Sequence, residues 1–306
     1  YNILAPNFAQ PKHFPEVDAE TINWETRGHR VVQTVLRQNP DVFCLQECPR
    51  KLVAGFMQPA FAKHGYSGVA GTYNGDAGYA IFYRSEAYEL IRGPERVRVT
   101  TPGSVRDCGT LVLLYSKRET RFLVVGCLHL EGSVPKAQVR VDQITAAIDG
   151  AQRLQAEALS LLSKGWSLEI ERYKAKVAAE ATAAAAAAAE VERRARKQER
   201  RAKRRGLNAT DVPPTTTPTA ATPAATAESD TASVEPAPMF VEPIAPVLTP
   251  GIVLCMDMND YPDSETYHVA HSHAAQLQSV YGAVTGAEPR FTYSRDWKGT
   301  LDYVFC

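Results

Sequence analysis

The stretch Ile252-Val253-Leu254-Cys255-Met256-Asp257-Met258-Asn259-Asp260-Tyr261-Pro262 runs from an apolar segment into a cluster of hydrogen-bonding residues. The apolar half reads as a buried strand. Asp257-x-Asn259 then pushes a carboxylate and a carboxamide out of the sheet edge together, and Pro262 stops the strand and forces a loop. Clefts at the carboxyl ends of strands are where α/β proteins place their chemistry. An acceptor and a two-headed hydrogen-bonder fixed there suit a hydrolytic water and a phosphate oxygen. Asp and Asn also favour ordinary turns, so the pattern needs companions elsewhere in the chain.

Working outward, other apolar runs end the same way. Tyr1-Asn2-Ile3-Leu4 reads as a short strand delivering Asn2 to a loop broken by Pro6, Pro11 and Pro15. A helix with the stripe Val31, Val32, Val35, Leu36 ends at Asn39-Pro40, and Val42-Phe43-Cys44-Leu45 is a buried strand finishing on Gln46-Glu47. Residues 53–64 suit a helix, 65–78 a glycine-rich loop and strand, and Tyr79–Tyr83 a strand. After a variable stretch, Leu111–Tyr115 and Phe122–Cys127 form an expected antiparallel hairpin whose second strand ends on Leu128-His129. A helix with Val139, Ile144, Ala147 and Ile148 on one face follows. Beyond Asn259, a helix over 265–278 is expected, then Phe291-Thr292-Tyr293 and a closing strand holding Asp302.

Composition changes between residues 151 and 250. Residues 175–205 read as a strong helix former with an alanine tract and almost no apolar face, and 211–250 are Pro/Thr/Ala-rich and cannot bury enough surface to fold. The expected organisation is therefore 1–150 as the first part of one domain, 151–250 as an insertion, and 251–306 as the second part. The formal net charge is zero, but Glu192–Arg205 carries +7 and the remainder −7. An acidic remainder argues against a non-specific nucleic-acid binder and suits a metal-dependent enzyme whose cleft gathers carboxylates.

A hydrophobic content of 44% supports a sizeable core, and no apolar run approaches membrane-spanning length. The six cysteines lack C-x-x-C spacing, so neither a zinc site nor a disulfide framework is indicated. Buried thiols in a reducing compartment, intracellular and cytoplasmic, are the expectation. Both ends of the chain read as cut, leaving targeting signals outside it.

Asn2, Glu47, His129 and Asp257/Asn259 thus stand at four strand ends, with Asp302 inside a fifth strand. Each has a bland alternative: a loop residue, a strand-end hydrogen-bonder, a satisfied core histidine, a partner for Lys298. Together they point to one polar site.

The stretches Tyr1–Ala5, Asp41–Glu47, Ala80–Tyr83, His129-Leu130 with Arg140-x-x-Gln143, Cys255–Asn259 and Lys298–Tyr303 resemble, in order, the endonuclease/exonuclease/phosphatase superfamily. The branch they resemble is that of the poly(A) deadenylases, Angel, Nocturnin and the 2′-phosphodiesterases. The resemblance covers the chain except the insertion. It implies an α/β (α+β) four-layer sandwich, two packed mixed β-sheets flanked by helices, as in deoxyribonuclease I. It further implies that Glu47 holds Mg²⁺ (or Mn²⁺) with Asn2 beside it, and that Asp257 orients or deprotonates the attacking water. Asn259 and His129 would hold the scissile phosphate, and Asp302 would pair with a histidine in a Ser-Asp-His segment beyond Cys306. Trp297 and Pro135 would lie on the two faces of a terminal adenine. Cys127 stands where the family usually has Asn, and Met256 where it has Gly.

The implied activity is 3′-5′ exoribonucleolytic removal of adenylates from the RNA 3′ end (poly(A)), with the basic segment as an electrostatic handle. Alternatives are a 2′-phosphatase or 2′-phosphodiesterase acting on a nucleotide phosphate, and a catalytically dead RNA-binding or assembly module. Implied partners are RNA and deadenylation-complex proteins.

Overall fold

The computed structural model describes residues 1–71, 78–101, 104–163, 182, 186, 189, 193, 249–294 and 298–306. One compact unit comprises Tyr1–Ser163 and Val247–Cys306, and a second comprises Lys164–Pro246. In the second unit the described residues Thr182, Ala186, Ala189 and Arg193 are helical. The rest of the alanine-rich and basic stretch, and nearly all of the Pro/Thr/Ala-rich stretch, lie outside the described residues.

The first unit opens with α1 (Ala19–Ile22) and α2 (Trp24–Gln38). The Asn23 side chain caps α2 by accepting from the Glu25 N–H at 3.0 Å, and Asn39 ends it in the left-handed region. Strand β1 (Val42–Gln46) follows, then α3 (Arg50–Leu52), a π turn (Val53–Met57) and α4 (Gln58–Ala62). Strands β2 (Tyr66–Ala70) and β3 (Tyr79–Arg84) complete a sheet ordered β1-β3-β2. All its strand pairs are antiparallel, and a single parallel bridge, Asn2 to Gln46, is all that forms of the strand expected at Tyr1–Leu4.

The second sheet is mixed and ordered β10-β7-β6-β5-β4. It contains β4 (Tyr88–Thr101), β5 (Ser104–Ser116), β6 (Arg121–His129), β7 (Gly251–Asp257) and β10 (Asp302–Phe305). The hairpin of β5 and β6 is antiparallel as expected, whereas β6 and β7 run parallel. Parallel neighbours need a crossover, and α5 (Ala137–Ser163) begins it. That helix continues thirteen residues past position 150 without a break, burying Ile144, Ala147, Ile148, Ala151, Leu154 and Ala158 at helical spacing. The helix expected over 265–278 is shorter: α6 (Glu265–Ser272) stops at His273, and α7 (Val280–Thr285) is separate. Two-residue strands β8 (Tyr293–Ser294) and β9 (Lys298–Gly299) pair with each other.

Period-two alternation sorts these strands into layers. Phe43 and Leu45 of β1 and Ala80 and Phe82 of β3 pack with Val31, Val32, Val35, Met57 and Phe61 on the helices above. Their alternates Cys44, Tyr79, Ile81 and Tyr83 face Val112, Leu114, Val125 and Cys127 of the second sheet. Helix α5 covers that sheet's far side, giving helix, sheet, sheet, helix. Inside the first layer Phe82 is fully buried, stacked on Phe43 at 5.0 Å and against Phe61 at 4.9 Å. Phe82→Ala therefore opens a cavity in this aromatic layer, and urea titration should show a loss of about 3–5 kcal/mol.

Candidate active site

The carboxyl ends of β1, β6 and β7 converge at one end of the sandwich. Register alone places Asp257 between two partners: it is aligned with His129 in the parallel pair and with Asp302 in the antiparallel pair. The Leu130 N–H donates to the Asp257 carbonyl at 2.9 Å, and the Met258 N–H donates to the Leu301 carbonyl at 2.7 Å, so the pairing continues to the strand tips. Here Asn2, Glu47, His129, Asp257, Asn259 and Asp302 line one cavity of about 1060 Å³. That is large enough for a nucleotide-sized ligand, given ordinary ligand sites of about 300–1,000 Å³.

The centre of the site is the Asn2 carboxamide. Its Nδ2 donates to Glu47 Oε1 at 2.8 Å and to Asp257 Oδ2 at 3.0 Å. Its Oδ1 accepts from the Leu4 N–H at 2.8 Å, which fixes the orientation of the amide. The other Glu47 oxygen accepts from the Ala5 N–H at 2.8 Å. Both carboxylate residues are only 8% exposed, so these donors replace water they have lost.

Three rim residues that are not glycine adopt left-handed backbone: Leu4 (φ 54°), Glu47 (φ 57°) and Asn259 (φ 52°). Such conformations cost free energy and persist where the surroundings over-determine them. For Leu4 the determinant is Arg27 of α2, whose guanidinium donates to the carbonyls of Ile3 and, at 2.7 Å, Leu4. Burial lowers the Arg27 pKa from its ordinary value, opposed by Tyr1 and Glu47 nearby. Its position in an amphipathic helix concealed this role in the sequence; the pairing of Trp24 with Arg27, now a cation–π contact at 5.3 Å, is the one available signal. For Asn259, its own N–H donates to Asp257 Oδ1 at 3.2 Å and its Nδ2 to the Leu130 carbonyl at 3.0 Å.

His129 Nε2 stands 3.8 Å from Asp257 Oδ2. The Asp302 N–H donates to Thr292 Oγ1 at 3.1 Å. Burial raises the Asp302 carboxyl above the ordinary Asp value, and the Asp257 charge adds to that; Thr292, the N-terminal amine and His129 pull the other way. Behind the site, Arg140 and Asp260 form a buried pair at 2.9 Å, and Arg140 also donates to the carbonyls of Glu131 and Ser133. This anchors the loop after β6 to the loop after β7.

The hard-oxygen donors are the Glu47 and Asp257 carboxylates; the Asn2 carboxamide turns its N–H bonds to them and its oxygen to the Leu4 N–H. Among the described residues no cluster of three His, Cys, Asp or Glu side chains forms an all-protein metal cage. Mg²⁺ seldom needs one: one or two carboxylates with waters and substrate oxygens suffice, and Mn²⁺ accepts the same donors. Glu47 fits such an ion, and Asn2, expected beside it, orients the carboxylate rather than offering an oxygen of its own.

One of the expected residues is not brought to this centre. Pro135 is exposed in a one-turn 3-10 helix (Val134–Lys136) and is not among the residues lining the cavity, because the chain has already turned outward after Leu130. Trp297 lies outside the described residues. Cys127 turns its thiol into the core, donating to the Leu45 carbonyl at 3.4 Å, so it does not replace a carboxamide at the cavity wall. Met256 is buried without disturbing the strand. Tyr281 of the short helix α7, Thr292, and Tyr293 of the two-residue strand β8 also line the cavity, on pieces too short to show a periodic signal in the sequence.

Comparison with known proteins agrees with this geometry. A family model described as the Endonuclease/Exonuclease/phosphatase family matches residues 2–306. The CCR4-Not complex 3′-5′-exoribonuclease subunit Ccr4 of Candida glabrata is 35% identical over 69 residues, 22% of this chain and 8% of that protein. Nocturnin of Drosophila melanogaster is 30% identical over 102 residues, 29% of this chain and 15% of its own length. The aligned stretches thus span only a small part of these relatives. The human Nocturnin catalytic domain with bound sulfate superposes with a TM-score of 0.58 at 17% identity, covering 100% of this chain and 79% of that one. ANGEL2, a 2′,3′-cyclic phosphatase, in complex with adenosine-2′,3′-vanadate, gives 0.58 at 14% identity, covering 100% and 82%. At these identities the structural likeness shows the fold.

The raised Asp302 pKa has a definite sign. The unfolded chain releases this proton near the ordinary Asp value of about 3.9, and the folded chain only at higher pH. Charged Asp302 therefore costs stability as pH rises through that window. In metal-free buffer Asp302→Asn should match the parent near pH 3 and become the more stable protein toward neutrality, as read by denaturant midpoints across pH.

Proposed function

The chain belongs to the endonuclease/exonuclease/phosphatase family, and we propose that it is a divalent-metal-dependent phosphodiester hydrolase removing 3′-terminal adenylates from RNA. The observation that carries this reading is the Asn2 carboxamide joining Glu47 to Asp257 at the wall of a nucleotide-sized cavity. Glu47, with Asn2 beside it, would hold Mg²⁺ or Mn²⁺. Such an ion neutralises phosphoryl charge and makes water a usable nucleophile near neutral pH.

The remaining roles fall to the chain's own residues. Asp257, held by Asn2 and the Asn259 N–H, keeps a carboxylate aimed into the cavity as acceptor for the attacking water's proton. His129 and the second N–H of the Asn259 carboxamide would donate to the phosphate oxygens as charge develops. Asp302, raised by burial and the neighbouring charge, stands beside them as a carboxyl able to share a proton. The buried Arg140–Asp260 pair holds the two loops in place so that none of these groups must reorganise during the reaction.

The RNA substrate and 3′ polarity are supported by the Ccr4 relatives, which are 3′-5′-exoribonuclease subunits. Association with other proteins of a deadenylation complex is part of the same proposal. The basic segment containing Arg193 would add phosphate contacts. A second reading, a nucleotide 2′-phosphatase or 2′-phosphodiesterase, is favoured by the adenosine-2′,3′-vanadate bound to the ANGEL2 neighbour and by the acidic charge outside the basic segment.

The test uses a 5′-labelled RNA ending in an adenylate tract, with 2′-phosphorylated and 2′,3′-cyclic adenosine as competitors. A ladder shortening from the 3′ end, with release of adenosine 5′-monophosphate, is expected; EDTA should abolish it and Mg²⁺ restore it. Glu47→Gln and Asp257→Asn should each lower kcat by about 10²–10⁴-fold in protein that remains folded by circular dichroism. Intact RNA with phosphate release from the small nucleotides selects the second reading. No metal-dependent turnover of any substrate leaves an RNA-binding or assembly module.

A further inference from the structure

Beneath the polar rim lies a layer of sulfur. Side chains two residues apart on a strand share a face. Cys127 precedes His129 on β6 by two residues, and Cys255 precedes Asp257 on β7 by two. Cys127 and Cys255 are aligned partners in the parallel pair. Cys44, three residues before Glu47 on β1, meets them from the opposite sheet.

The two sheets are clasped there: the Cys44 thiol donates to the Gly126 carbonyl at 3.7 Å and the Cys127 thiol to the Leu45 carbonyl at 3.4 Å. Cys255 packs against the same buried cluster as Cys44 and Cys127. All three are free thiols. Their access differs. Cys44, 4% exposed, and Cys255, half-buried, both line the cavity, whereas Cys127 is 0% exposed and does not.

We propose that Cys255 is an oxidation site reached through the cavity, with Cys44 as its resolving thiol, the two closing to a disulfide between the sheets. The oxidant is a hydroperoxide small enough to enter the cavity. The Cys255 sulfur attacks the peroxide, the O–O bond breaks, and water leaves from hydrogen peroxide as the sulfenic acid forms. The Cys44 sulfur then attacks the Cys255 sulfur and the S–O bond breaks. Burial and the neighbouring sulfurs keep Cys44 protonated, so its proton departs with that oxygen as a second water. Two thiols and one peroxide thus give one disulfide and two waters.

A bond between these sulfurs ties β1 to β7 under Glu47 and Asp257. A displacement of about 1 Å at a reacting group costs about 10²-fold in rate. The effect on turnover rests on the hydrolase reading above; the cross-link itself does not.

The experiment treats the intact protein with a few equivalents of hydrogen peroxide, blocks remaining thiols with N-ethylmaleimide after denaturation, and maps the peptides by mass. A Cys44–Cys255 cross-linked peptide is expected, lighter by the mass of two hydrogen atoms and abolished by dithiothreitol. It should persist in Cys306→Ser, which removes the exposed terminal thiol, and vanish in Cys255→Ser, where Cys44 should stay alkylatable. Turnover should fall about a hundredfold in parallel and return on reduction. The proposal is overturned if the oxidised protein maps to a pair lacking Cys255, or if Cys44 and Cys255 both remain alkylatable at a dose that oxidises Cys306. Inactivation of Cys255→Ser at the parent's rate would equally overturn it. A mapped cross-link in a protein without turnover upholds the site and refutes only the hydrolase reading.

Discussion

Two carboxylates set side by side in a half-dry cleft repel one another, and everything at the end of this sandwich depends on how that repulsion is contained. The containing group is a neutral one. The Asn2 amide presents both of its N–H bonds, one toward Glu47 and one toward Asp257, while its oxygen is held by the Leu4 backbone. Because the amide carries no charge, it does not cancel the negative potential that would attract a divalent cation. A lysine or arginine there would satisfy the same acceptors and destroy the site's purpose. The left-handed turns at Leu4 and Glu47, and the grip of Arg27 on the Ile3 and Leu4 carbonyls, follow from the need to bring Asn2 to that spot.

Much of this was readable in the amino-acid order, because a strand buried on both faces announces itself and its polar tip stands out against it. Glu47, His129 and Asp257 were legible for that reason, and the β6–β7 register needed only that the apolar runs pair in parallel. What escaped is equally physical. Strand β4 reads as a variable stretch because it is an edge strand, half exposed, with Arg92, Glu95, Arg96 and Arg98 interrupting any clean alternation and bulges shifting its register. The Tyr1–Leu4 run looks like a strand, but Leu4 turns into left-handed backbone and leaves one bridge. The extent of α5 was obscured by a rise in alanine and glutamate, residues that suit a helix and an unanchored segment equally well. Arg27 and Arg140 act on backbone carbonyls across the fold, which no local pattern encodes.

The departures from the family pattern concentrate in one place. Cys127 does not face the cavity in place of a carboxamide; it faces inward and joins Cys44 and Cys255 between the sheets. The Cys44 and Cys127 thiols each reach a backbone carbonyl of the facing sheet there. Three sulfurs thus gather under the carboxylates, so the chemistry of the rim and that of the core share a wall.

The Asn2–Asp257 hydrogen bond spans 255 positions of the chain. Its two ends meet only once both sheets are in place, because Asn2 is bridged to β1 and Asp257 belongs to β7. A nascent chain that has not yet reached Asp257 has no second carboxylate to offer, so the cavity registers whether the two sheets have come together.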